Sequence, residues 1–66
     1  MKSMMKSISP RLQTIRDLKV RAIDAGDRVI VEACSRLQTA DLLGWKRHHD
    51  PRDWKLVTSF LADLEA

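Results

Sequence analysis

Apolar side chains recur at steps of three and four residues in three separate stretches of this chain, the spacing that gathers them on one side of an α-helix. Leu12, Ile15, Leu18, Ala22 and Ile23 form the first stripe. Ile30, Ala33, Cys34, Leu37 and Ala40 form the second, with Val29 on its flank. Trp54, Val57, Phe60, Leu61 and Leu64 form the third and cleanest, with Leu56 at its margin. Charged residues fill the remaining sides: Arg11, Arg16, Asp17, Lys19, Arg21 and Asp24 around the first stripe, and Arg52, Lys55, Asp63 and Glu65 around the third. The pattern predicts an all-α fold of three amphipathic helices. Val20 and Val31 fall off their stripes and have no place inside a single pair of helices, which hints at a second buried surface.

Punctuation between the stripes sets the boundaries. Ser9 is placed to cap the first helix and Pro10 to take its first position, where a missing N–H costs nothing. That helix is expected to run from 10 to 25. Gly26 tolerates the left-handed backbone that closes a helix, and Asp27 directly after it can accept from the free N–H groups of the next one. So short a join predicts an antiparallel hairpin. The second helix is expected from 28 to about 40, or to 43 with Gly44 as its terminator. Asp50 caps the third, Pro51 opens it, and Asp53 stands where a capping box places its acid. This helix is expected over 51–64. The expected organisation is one small domain: a flexible tail over 1–8, the hairpin over 9–43, a basic connector over 44–50 and the third helix over 51–66. The tetrapeptide Arg-Leu-Gln-Thr occurs at 11–14 and again at 36–39, but two short copies fall short of the three supersecondary units that a repeat architecture needs.

Length changes the picture. In a chain of 66 residues, the gain from apolar burial is about cancelled by the entropy of ordering the chain. Domains this small are commonly held by disulfides, a metal or a partner. Cys34 is the only cysteine, so a disulfide within the chain is excluded, and one thiol with two adjacent histidines is a poor zinc set. Association is the remaining route, and a homodimer is its commonest form. Leu12, Ile15, Ile30, Leu37, Trp54, Val57, Phe60, Leu61 and Leu64 are the residues expected in the core or the dimer contact.

Twelve Lys and Arg against nine Asp and Glu leave a formal charge of +3. Interspersed signs of this kind favour solubility and a mild preference for acidic partners over the dense positive field of a strong nucleic-acid binder. The opening residues are basic but lack the apolar core of a signal peptide, and no stretch is apolar enough for a membrane span. With a lone free cysteine, a reducing cytoplasmic setting is expected. Asp63 and Glu65 count against the third helix lying on an anionic membrane.

Candidate chemistry is sparse. His48 and His49 are neighbours and point apart on an extended segment, which suits a polar connector better than a metal site. Cys34 belongs to the inner stripe, where a thiol behaves as a small apolar group. No glycine-rich phosphate loop, carboxylate pair or nucleophilic triad is present in the sequence, so no enzyme activity and no cofactor are expected. A helix-turn-helix reading fails twice: Glu32 occupies a position that should be apolar, and the cap at Asp27 makes the turn too short. A small DNA- or RNA-associating protein acting through its basic surface remains the alternative, with phosphate contacts from Lys46, Arg47 and Arg52. Protein binding fits better. Tryptophan and arginine are enriched at interface hot spots, and Trp45 follows Gly44 in a polar segment, outside every stripe. Trp45, Lys46, Arg47, His48 and Arg52 are the expected partner-binding residues, with Trp45 as an apolar anchor and the arginines as partners for carboxylates. If Trp45 is such an anchor, its replacement by alanine weakens partner binding and leaves melting nearly unchanged.

The stretch 18–37, with Ala22, Ala25-Gly26-Asp27, Val31, Cys34 and Leu37, resembles a helical-hairpin pattern of small phage and prophage proteins. Together with the chain length and Trp45, it is similar to phage-encoded quorum-sensing anti-activators, which are dimeric and bind host regulators. The resemblance covers about a third of the chain. It implies an inhibitor that binds a host regulatory protein such as a transcription activator and blocks its contact with DNA. It assigns no site residue.

Overall fold

The computed structural model describes residues 9–66; the expected tail over 1–8 lies outside them. The fold is all-α, with no strand among the described residues. α1 spans Pro10–Ala25, α2 Arg28–Leu43, α3 Trp45–His48 and α4 Pro51–Glu65. No helix among the described residues is long and apolar enough to cross a membrane.

Local chemistry accounts for the ends of the long helices. The Ser9 hydroxyl accepts from the Leu12 N–H at 3.1 Å, and Pro10 follows it into α1. Gly26 adopts φ 72°, and the Asp27 N–H reaches back to the Ala22 carbonyl at 2.9 Å, so the α1 carbonyls are satisfied as the chain turns. The Asp27 carboxylate then accepts from Ile30 N–H at 3.3 Å. Gly44, at φ 128°, closes α2 with its N–H on the Ala40 carbonyl. Asp50 caps α4 by accepting from the Arg52 N–H at 2.8 Å.

Gly44 does not lead into an open connector. Trp45–His48 forms one helical turn, α3, with the His48 N–H on the Gly44 carbonyl and the His49 N–H on the Trp45 carbonyl. The third expected helix is therefore the fourth in the structure. The extra turn shortens the path and brings Trp45 back against the core.

α1 and α2 run side by side in opposite directions: they join at Gly26 and Asp27, while Arg11 near the start of α1 bonds Asp41 near the end of α2. α4 packs chiefly on α2 and touches α1 less. Ile15, Leu18, Ala22, Ile30, Ala33, Cys34, Leu37 and Val57 make the buried cluster, and Trp45, Trp54, Phe60, Leu61 and Val31 pack around it. Leu12 is half-buried.

Three stripe assignments change. Ile23, expected inside, is 59% exposed. It lies beyond the edge of the α1 surface that α2 and α4 cover. Leu64 is 44% exposed, because it lines the open groove between α1 and α4 beside Arg21 and not the closed core. Val31, expected to point away, packs against the core cluster, because α1 covers a broader side of α2 than the stripe alone marks. Val20 remains exposed.

Candidate functional site

The connector end of the molecule concentrates aromatic and basic groups. The Trp45 indole stacks on the His49 ring, with centroids 4.5 Å apart and planes 3° from parallel. Trp54 meets it edge-on at 5.1 Å and 84°. The Arg11 guanidinium lies 4.2 Å from the centroid of the same indole. Such a contact is attractive because the ring face is electron-rich. Arg11 is itself held by Asp41, to which its Nε and Nη2 donate at 3.1 and 2.8 Å. His49 is fixed by its own backbone: Nδ1 lies 2.6 Å from the Trp45 carbonyl, a contact in which Nδ1 carries the proton and donates. α1, α2, α3 and the head of α4 are thereby tied at one end of the fold.

Trp45 is thus a half-buried member of a stack, where the sequence pointed to a freely presented anchor. Its ring already has Arg11 and His49 against it. The other four expected partner-binding residues, Lys46, Arg47, His48 and Arg52, are exposed beside the stack. The Arg52 side chain is 91% exposed and approaches only Asp50, at 3.8 Å. Lys46 and Arg47 make no ion pair among the described residues. Lys46, Arg47 and His48 thus share the short helix that Trp45 opens, Arg52 stands in the first turn of α4, and the tryptophan is drawn inward. His49, unlike His48, is the histidine with a defined role.

Asp53 is the residue that sequence reasoning placed wrongly. Its carboxylate was expected to serve the α4 cap, yet it is only 6% exposed and receives two bonds from Arg36, Nε to Oδ2 at 2.8 Å and Nη2 to Oδ1 at 2.9 Å. This two-pronged bond, with the guanidinium charge behind it, holds the Asp53 carboxyl below the usual carboxylate range against the opposing effect of burial. The same bond raises Arg36. The pair fastens α4 to α2. No periodic signal marks it, since the partners lie on different helices.

Cys34 is fully buried among apolar side chains, and burial pushes its thiol up, with a smaller opposing pull from Lys19. A thiol held protonated in this way is a packing group and a poor nucleophile. Among the described residues there is no group of three or more His, Cys, Asp or Glu placed to hold a metal ion.

A second surface feature lies between α1 and α4. Two adjoining hollows of about 350 and 390 Å³ share Thr14, Leu18 and Leu61 in their walls. One extends to Trp54 and Pro10, the other to Arg21, Leu64 and Glu65. They form one open groove, largely apolar toward Trp54.

Compared with protein-family models, curated proteins and solved structures, the chain gives no match.

Proposed function

We propose that this chain is a small non-enzymatic protein-binding module, in which the α1–α2 hairpin and α4 form a platform that self-associates and presents the basic rim to a partner. The observation that supports the reading is that Lys46, Arg47 and His48, on the one-turn helix that Trp45 opens, and Arg52, in the first turn of α4, are all exposed while Trp45 itself is stacked on His49. Exposed cations that are not committed to close ion pairs are available to bond carboxylates on another protein. The resemblance to phage anti-activators suggests a host regulatory protein, such as a transcription activator, as the target. In this reading Trp45 works through the stack, as a support for the rim.

The test uses the immobilised full chain against bacterial lysate, beside a variant carrying Lys46→Glu, Arg47→Glu and Arg52→Glu. The expected result is a regulatory protein retained by the original chain and lost from the variant, with equal helicity by circular dichroism. Retention of the same proteins by both chains overturns the rim assignment. The same rim could instead meet phosphates, which is the nucleic-acid reading. A gel shift of random duplex and single strands over a salt series separates the two, because phosphate binding weakens steeply as salt rises.

A further inference from the structure

A fourth, shorter run with helical spacing precedes Ser9. Met1, Met4, Met5 and Ile8 stand three and four residues apart and fall within about 100° of arc when wound as a helix. Lys2, Ser3, Lys6 and Ser7 take the other side. The groove between α1 and α4 begins where this run joins the fold: Pro10, directly after the Ser9 cap, is part of its wall, and Trp54, Leu18 and Leu61 continue it. The wall sets Pro10 at the start of α1 beside Trp54 at the start of α4, and Arg21 near the end of α1 beside Leu64 near the end of α4. The two helices therefore run parallel. A segment that leaves Ser9 and lies along the groove runs antiparallel to both, the orientation that helix dipoles favour.

Reach and chemistry agree. Pro10 to Leu18 and Trp54 to Leu61 each cover about 10–12 Å of helix, and eight helical residues cover about 12 Å. Unbranched methionine side chains adapt to irregular apolar walls. Asp17, Arg21 and Glu65 border the far part of the groove, a net negative charge at the end that Lys2 reaches. We propose that residues 1–8 occupy this groove as a short helix, with Ile8 against Trp54, Met4 and Met5 over Leu18 and Leu61, and Met1 toward Leu64. The covalent join at Ser9 delivers the segment to the groove at high effective concentration, so a weak apolar contact suffices to hold it. This docking is internal to one chain and independent of the rim reading above.

Amide hydrogen exchange of the full chain at low micromolar concentration provides the test, beside two full-length variants. Met4→Asp with Met5→Asp removes the apolar stripe; Thr58→Lys puts a cation in the groove wall and leaves 1–8 untouched. Circular dichroism and exchange within α2 check that both variants keep the fold. The expected result is that amides 4–8 exchange about ten-fold or more slowly in the original chain than in either variant. Equal rates in the original and the Met4→Asp, Met5→Asp chain overturn the docking. Protection that persists in Thr58→Lys belongs to the segment alone and overturns it as well. Protection that grows with protein concentration assigns the groove to a second copy, against docking within one chain. Mild oxidation gives an independent readout. Met5→Cys with Thr58→Cys is expected to close a disulfide within a 7.6 kDa chain, whereas Met5→Cys with Leu42→Cys, on an exposed part of α2, is not. Closure at both positions alike, or only between copies, rules the docking out.

Discussion

Trp45 shows how one side chain can organise the end of a small fold. Its indole is the shared neighbour of Arg11, His49 and Trp54, so truncating it unstacks three partners at once. Trp45→Ala is expected to cost about 2 kcal/mol, below the range for a fully buried tryptophan because the ring is half-exposed. Urea unfolding monitored by circular dichroism measures it; an unchanged midpoint would return Trp45 to the role of a free anchor. Asp53 gives a second residue-scale expectation. Its carboxyl titrates below the unfolded value of about 3.9 because Arg36 bonds the ionised form. The stabilisation is complete above the unfolded value and is lost as pH falls through the lower folded one. Asp53→Asn is expected to lower the melting temperature by a few degrees at neutral pH. It also removes part of the decline that the original chain shows below about pH 4. Parallel melting curves of the two proteins from neutrality into acid check this, and identical slopes would rule it out.

Among the elements, the α1–α2 junction depends on a left-handed backbone at one residue. Gly26 sits at φ 72°, and nothing lies within 4 Å of where a Cβ would be. Substitution there is thus opposed by backbone conformation alone. Gly26→Ala is expected to cost about 1–2 kcal/mol, and Gly26→Asn less, since asparagine tolerates the left-handed region better. Equal stabilities for all three by chemical denaturation would show that the turn relaxes. α3 is the element that composition concealed. Four residues are too few for a periodic stripe, and their polar side chains read as a connector. The turn is held by the Gly44 terminator on one side and the Trp45–His49 contacts on the other.

For the whole molecule, the governing fact is a small core. Leu37, fully buried, sits among side chains from α1, α2 and α4. Leu37→Ala is expected to remove about 3 kcal/mol, a large share of what a domain this short can hold, and to abolish cooperative melting; a sharp transition shifted by only a few degrees would contradict it.

The extents of the three long helices and their caps were legible in the residues themselves. Ser9, Asp27 and Asp50 act on N–H groups two or three positions away, Gly26 and Gly44 on carbonyls three or four positions away, and apolar periodicity is a property of one helix. Interactions of such short reach are written in adjacent sequence. The packing decided what the stripes could not: that Ile23 stays in solvent while Val31 is covered, that Asp53 leaves its cap position for Arg36, and that Trp45 turns inward onto Arg11 and His49. Each of these outcomes depends on how closely and at what angle one helix meets another. That geometry is set by contacts between residues far apart in the chain, which no local pattern encodes.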